Sequence, residues 1–133
     1  MKHRRLFTVG ILAALFVLSS CQKVGEVGAL FREMWDVRTE VAKVVPCEEV
    51  GITLQNGKTL RVNVVNPVSD VISERPARTL EIARIAYASF ASRSSLNAVD
   101  VTIVKRRRFL LLFTSASSTV FHFSTAQLAA NAA

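Results

Sequence analysis

The chain has 133 residues, 17 Lys and Arg against 10 Asp and Glu, a formal charge of +7, and half of its residues are apolar. That length holds one domain and hardly two, and that apolar fraction excludes a disordered chain. Five Gly, three Pro and two Cys exclude collagen-like, low-complexity and disulfide-scaffold chains.

Met1-Lys2-His3-Arg4-Arg5 is a cationic start, and Leu6 to Leu18 follows without a charge. A membrane-spanning helix needs about 20 apolar residues, so this run is too short to span. A cationic stretch followed by an apolar run of this length has the form of a secretory signal peptide. The run closes as Leu18-Ser19-Ser20-Cys21. Leu, two small residues and Cys in this place resemble the lipobox of bacterial lipoproteins. The resemblance covers residues 1–21 and implies removal of the signal peptide, 1–20. It also implies a diacylglycerol on the Cys21 thiol, which would be the first residue of the mature chain. Two or three acyl chains hold a protein on a membrane where one does so only marginally. By the same resemblance Gln22 favours the outer membrane, in a host that has one. An ordinary secretory signal with a chance Cys, or an uncleaved anchor, is the alternative.

Removing Lys2, Arg4 and Arg5 from the 17 basic residues leaves 14 against 10 acidic ones, a net of +4. Residues 21–28 read as a short tether with two Gly, reaching at most about 28 Å. Residues 29–125 read as a single α+β domain, and 126–133 as an Ala-rich tail with little to pack.

From Ala29 to Val45 apolar residues recur at Leu30, Met34, Val37, Val41 and Val44, which predicts a helix that Pro46 ends. Phe31, Met34 and Trp35 are expected in the core rather than in a ligand box. Val50 to Gln55 and Thr59 to Val65 alternate as strands do, with Asn56-Gly57-Lys58 between them. A three-residue loop sets Ile52 against Val62 and Leu54 against Leu60. A two-residue loop sets Ile52 against Arg61 and sends one apolar set to water. The odd-length loop, with a bulge, is therefore expected. Asn66-Pro67 breaks the ladder. Ser73 reads as the cap of a second helix running to about Ala91, where Leu80, Ala83, Tyr87 and Phe90, with Ile82, Ile85 and Ala86, give a broad apolar face. Three strand-like runs follow around 99–103, 109–113 and 119–123, separated by Lys105-Arg106-Arg107-Arg108 and Ser115-Ala116-Ser117-Ser118 read as turns. The order αββαβββ predicts an antiparallel sheet of four to five strands packed by a helix.

Residues that could carry chemistry are few. The sequence has no Gly-rich phosphate loop, H-E-x-x-H, G-x-S-x-G or paired C-x-x-C, so no cofactor or metal is expected and no catalytic residue is assigned. His122, between two Phe, reads as a solvated or edge histidine. Cys47 reads as a buried or idle thiol, with an intermolecular bridge as the alternative, and its adjacent carboxylates hold its pKa up. Lys105, Arg106, Arg107 and Arg108 read as a solvated turn guarding an apolar strand, or as a site for an anionic lipid or envelope glycan. Nucleic acid is disfavoured, because no aromatics interleave with the cations.

Together these point to a non-catalytic, lipid-anchored envelope protein. Its membrane contact is Cys21, and its role is binding or assembling another envelope component. A periplasmic or surface small-ligand-binding module is the alternative, and an enzyme is a third, less favoured one.

Overall fold

The computed structural model describes residues 25–109 and 113–130. The expected signal peptide and Cys21 lie outside the described residues. The chain divides between Arg32 and Glu33 into two units, and the second unit holds the whole sheet.

The fold is α+β, with an N-terminal helix and a second helix packed on a four-stranded sheet. Helix α1 runs over 25–44. It already contains Gly25 and Gly28, which the sequence reading assigned to the tether. It stops two residues before Pro46, because a residue preceding Pro is pushed out of the helical region. Val37 and Val41, with Val45 just after the helix, form its buried stripe. Phe31 and Trp35 were expected inside, but they are 65% and 63% exposed. The helical period explains the correction, since Val37 and Trp35 stand about 200° apart around the axis. The Arg38 guanidinium instead covers the Trp35 ring, 5.1 Å from its centroid.

Strands β1 (Cys47–Gln55) and β2 (Thr59–Pro67) form the expected hairpin. Ile52 pairs with Val62, Leu54 with Leu60 and Val50 with Val64. The loop is Asn56-Gly57-Lys58, and Lys58 N–H donates to the Gln55 carbonyl at 3.1 Å. Asn56 and Gly57 take φ of 53° and 68°, left-handed conformations that Asn and Gly adopt at least cost.

Helix α2 (Arg75–Ser89) follows a 3-10 turn, Ile72–Glu74. Ser73 lies inside that turn, and the helix has no side-chain cap, which corrects the cap assignment. The buried face is Thr79, Ile82, Ala83 and Ala86, with Phe90 just after the helix; all but Thr79 belong to the expected broad apolar face, whose Leu80, Ile85 and Tyr87 are half-buried. Thr79 enters the core because its hydroxyl donates back to the Arg75 carbonyl at 2.7 Å, leaving no buried donor unpaired.

Strands β3 (Ala98–Phe109) and β4 (Phe113–Ser124) complete the sheet in the order β1-β2-β3-β4. Two expectations are corrected here. The sheet is mixed, because β2 and β3 pair in parallel, Val62 beside Val101 and Val64 beside Ile103. A helix that carries the chain back across the sheet makes the next neighbouring strand parallel. Second, the three strand-like runs are two long strands. Lys105 to Arg108 and Ser115 to Ser118 lie within strands, paired Lys105 with Ser117 and Arg107 with Ser115.

Leu60, Val62, Val64, Val99 and Val101 are fully buried on one sheet face. Burying each is worth about 1.5–3 kcal/mol. Helix α2 contacts β3, β4 and α3 (Thr125–Ala130). Helix α3 buries Leu128, so the Ala-rich end packs where none was expected to.

Candidate functional site

The β2–β3 ladder ends at Val65 beside Val104, whereas β3 and β4 stay paired to Phe109 and Phe113. The last third of β3 is thus a two-stranded arm reaching past β2. The cationic run lies on it. Side chains alternate across a strand, so Lys105 and Arg107 share one face and Arg106 and Arg108 the other. The four cations read as one patch in the sequence are two pairs.

Each pair meets different groups. Lys105 Nζ lies 2.8 Å from Asp70 Oδ2. Asp70 also accepts from Arg75 Nε at 2.7 Å and Nη2 at 2.6 Å, a bidentate pairing. The Asp70 side chain is only 8% exposed. Hydrogen bonds from Arg75 and then Lys105 hold its carboxyl well below the usual carboxylate range, and the same bond raises the Arg75 pKa. On the opposite face Arg106 Nη1 lies 4.0 Å from Glu49 Oε2. Arg107 and Arg108 have no carboxylate partner among the described residues.

Two adjoining cavities open beside the arm. One, about 330 Å³, is lined by Asn66, Pro67, Val68, Asp70, Lys105 and Arg107. The other, about 300 Å³, is lined by Lys105, Arg107, Ser115 and Ser117. A guanidinium, an ammonium and two hydroxyls around open space suit an anion with several acceptor oxygens. Ser115 and Ser117 were read as turn residues, so the sequence reading missed them. No local signal could have found them, since neither 105–108 nor 114–118 alternates apolar with polar residues and only the pairing of β3 with β4 places them.

The exposed sheet face carries a second line of polar groups. Arg61, Asp100 and His122 stand side by side on β2, β3 and β4. His122 Nδ1 is 2.5 Å from Asp100 Oδ1, and Arg61 Nε is 3.8 Å from Asp100 Oδ2. His122 is as exposed as expected, but it has a carboxylate partner that the sequence reading did not see. No group of three or more His, Cys, Asp or Glu among the described residues is placed to hold a metal.

Cys47 is half-buried, and its thiol donates to the Glu49 carbonyl at 3.5 Å. Burial pushes its pKa up, against a smaller opposing effect of a backbone hydrogen bond at Glu49. The direction is the expected one, but the cause is desolvation rather than neighbouring charge.

Among the described residues no helix is long and apolar enough to cross a membrane. The chain matches no protein-family model, no curated protein and no solved structure.

Proposed function

We propose that this protein is a lipid-anchored, non-catalytic component of a bacterial cell envelope that binds or helps assemble another envelope component. The anchor would be Cys21, and the outer membrane is its place in a host that has one. The observation that carries the anchor is the order of parts in 1–21: cationic start, short apolar run, then Leu18-Ser19-Ser20-Cys21. Support for binding comes from Arg107, a cation without a carboxylate partner among the described residues, beside two hydroxyls and open space. Metabolic labelling with a palmitate analogue tests the anchor. Wild type takes the label and Cys21→Ala does not; equal label in both overturns the reading.

A second reading has one observation in its favour. Cavities of about 330 and 300 Å³ lie at the small end of the range for small-molecule sites. A small anion bound from solution would make the domain a ligand-binding module. Calorimetry of the full chain with inorganic phosphate distinguishes it, since saturable binding lost in Arg107→Gln supports this reading over the first.

A further inference from the structure

We infer that the edge where the β2–α2 loop meets the β3–β4 arm is a docking surface for an anionic lipid bilayer. The inference rests on the reading that Cys21 holds the chain at a membrane, and it names what the cationic edge then meets.

The loop supplies apolar groups. Val68 is 81% exposed, Ile72 73% and Val71 47%. A single exposed aliphatic is ordinary; three within five residues are not explained by the core. The arm supplies charge. Val68 lines the same cavity as Lys105 and Arg107, so aliphatic and cationic groups share one wall. Asp70 makes this a built arrangement. It sits in the loop between Val68 and Val71, and it bonds Lys105 of the arm at 2.8 Å and Arg75 of α2 at 2.6 Å. The loop is pinned to strand and helix at its middle, with its aliphatic residues left outside. The single charge of Asp70 is opposed by both partners, so the cluster with Arg107 stays net positive. Two further charges stand near: Glu74, and Arg78, which donates to the Ser69 carbonyl. They offset each other.

A protein partner would need to match both the aliphatic and the cationic parts. An anionic bilayer does so without specific design, since aliphatic groups enter the acyl boundary and cations stay at the phosphates. Ser115 and Ser117 add hydroxyl donors at the headgroup level. Docking would fix the orientation of the sheet on the membrane, which a lipid tether alone leaves free.

The test uses the full chain. The chain has one Trp, Trp35, so Trp35→Phe with Ile72→Trp gives a single reporter, and Trp35→Phe with Thr53→Trp a control on the exposed sheet face. Each protein is bound to vesicles of brominated phosphatidylcholine with or without phosphatidylglycerol. The reporter at position 72 is quenched in phosphatidylglycerol vesicles, the one at position 53 is not, and high salt reverses the quenching because exposed charges are then screened. Arg107→Gln lowers the ratio of docked to free protein about fivefold, the effect of one juxtamembrane cation. Equal quenching without phosphatidylglycerol, quenching indifferent to Arg107→Gln, or none at position 72 each overturns the inference. Mass analysis of the Cys21 peptide from the same preparation separates the two failures. An unmodified Cys21 removes the anchor reading, while quenching by vesicles added from solution still decides the docking.

Discussion

Asn66 closes the parallel ladder on Arg106. Its Oδ1 accepts from the Arg106 N–H at 2.8 Å, and its Nδ2 donates to the Arg106 carbonyl at 3.1 Å. The side-chain amide takes the place of the next peptide group of β2. Its backbone has by then turned left-handed, at φ 48°, towards Pro67. The same Nδ2 reaches Glu48 Oε2 at 2.5 Å.

Replacing Asn66 should therefore be costly in a graded way. Asn66→Ala loses two backbone-directed hydrogen bonds and puts Ala where Asn, with its short polar side chain, adopts the left-handed region more readily, about 2–4 kcal/mol in all. Asn66→Gly loses the bonds but suits the backbone, and should cost less. Urea denaturation of both variants checks the order; a Gly variant as unstable as the Ala variant would remove the backbone part of the account.

Asp70→Ala leaves Arg75 and Lys105 without their shared carboxylate and should cost about 2–3 kcal/mol at neutral pH. The pH dependence has a definite sign. The folded-state pKa of Asp70 is depressed below its ordinary 3.8. Its contribution is therefore complete above that value and is lost as pH falls further towards the folded pKa. The stability gap between wild type and Asp70→Ala should be flat from pH 7 to 5 and shrink below pH 4. A gap that widens on acidification would refute the assignment.

Gly57 isolates a backbone effect. An added Cβ there meets no atom within 4 Å, and φ is 68°. Gly57→Ala should cost about 1 kcal/mol through conformation alone. Thermal denaturation should show a small drop in Tm with the fold intact.

Asp100 and His122 are cross-strand neighbours joined at 2.5 Å, with the His side chain 67% exposed. Solvent screening keeps such a pair modest. A double-mutant cycle with Asp100→Asn and His122→Gln should return a coupling of about 0.2–1 kcal/mol. A coupling of zero would make the contact incidental.

Much of this fold was legible residue by residue. The hairpin register followed from the apolar alternation in 50–54 and 60–64, since a slip of one residue turns a whole face to water. Pro46 marked the end of α1 through its own sterics. These are local effects, acting within a few residues along the chain. What lay beyond them depends on elements meeting in space. Strand β3 runs parallel to β2 because α2 carries the chain back across the sheet. Lys105 to Arg108 looks like a turn when charge is weighed, and becomes a strand because Ser117 and Ser115 stand opposite Lys105 and Arg107. Asp70 and Lys105, like Asp100 and His122, are far apart in sequence and touch only once the register is set. Composition and periodicity determined which segments are helix and hairpin. Tertiary pairing alone decided the direction of β3, the splitting of the four cations between two faces, and the carboxylates that meet them, because each depends on contacts between segments whose own sequences do not specify a partner.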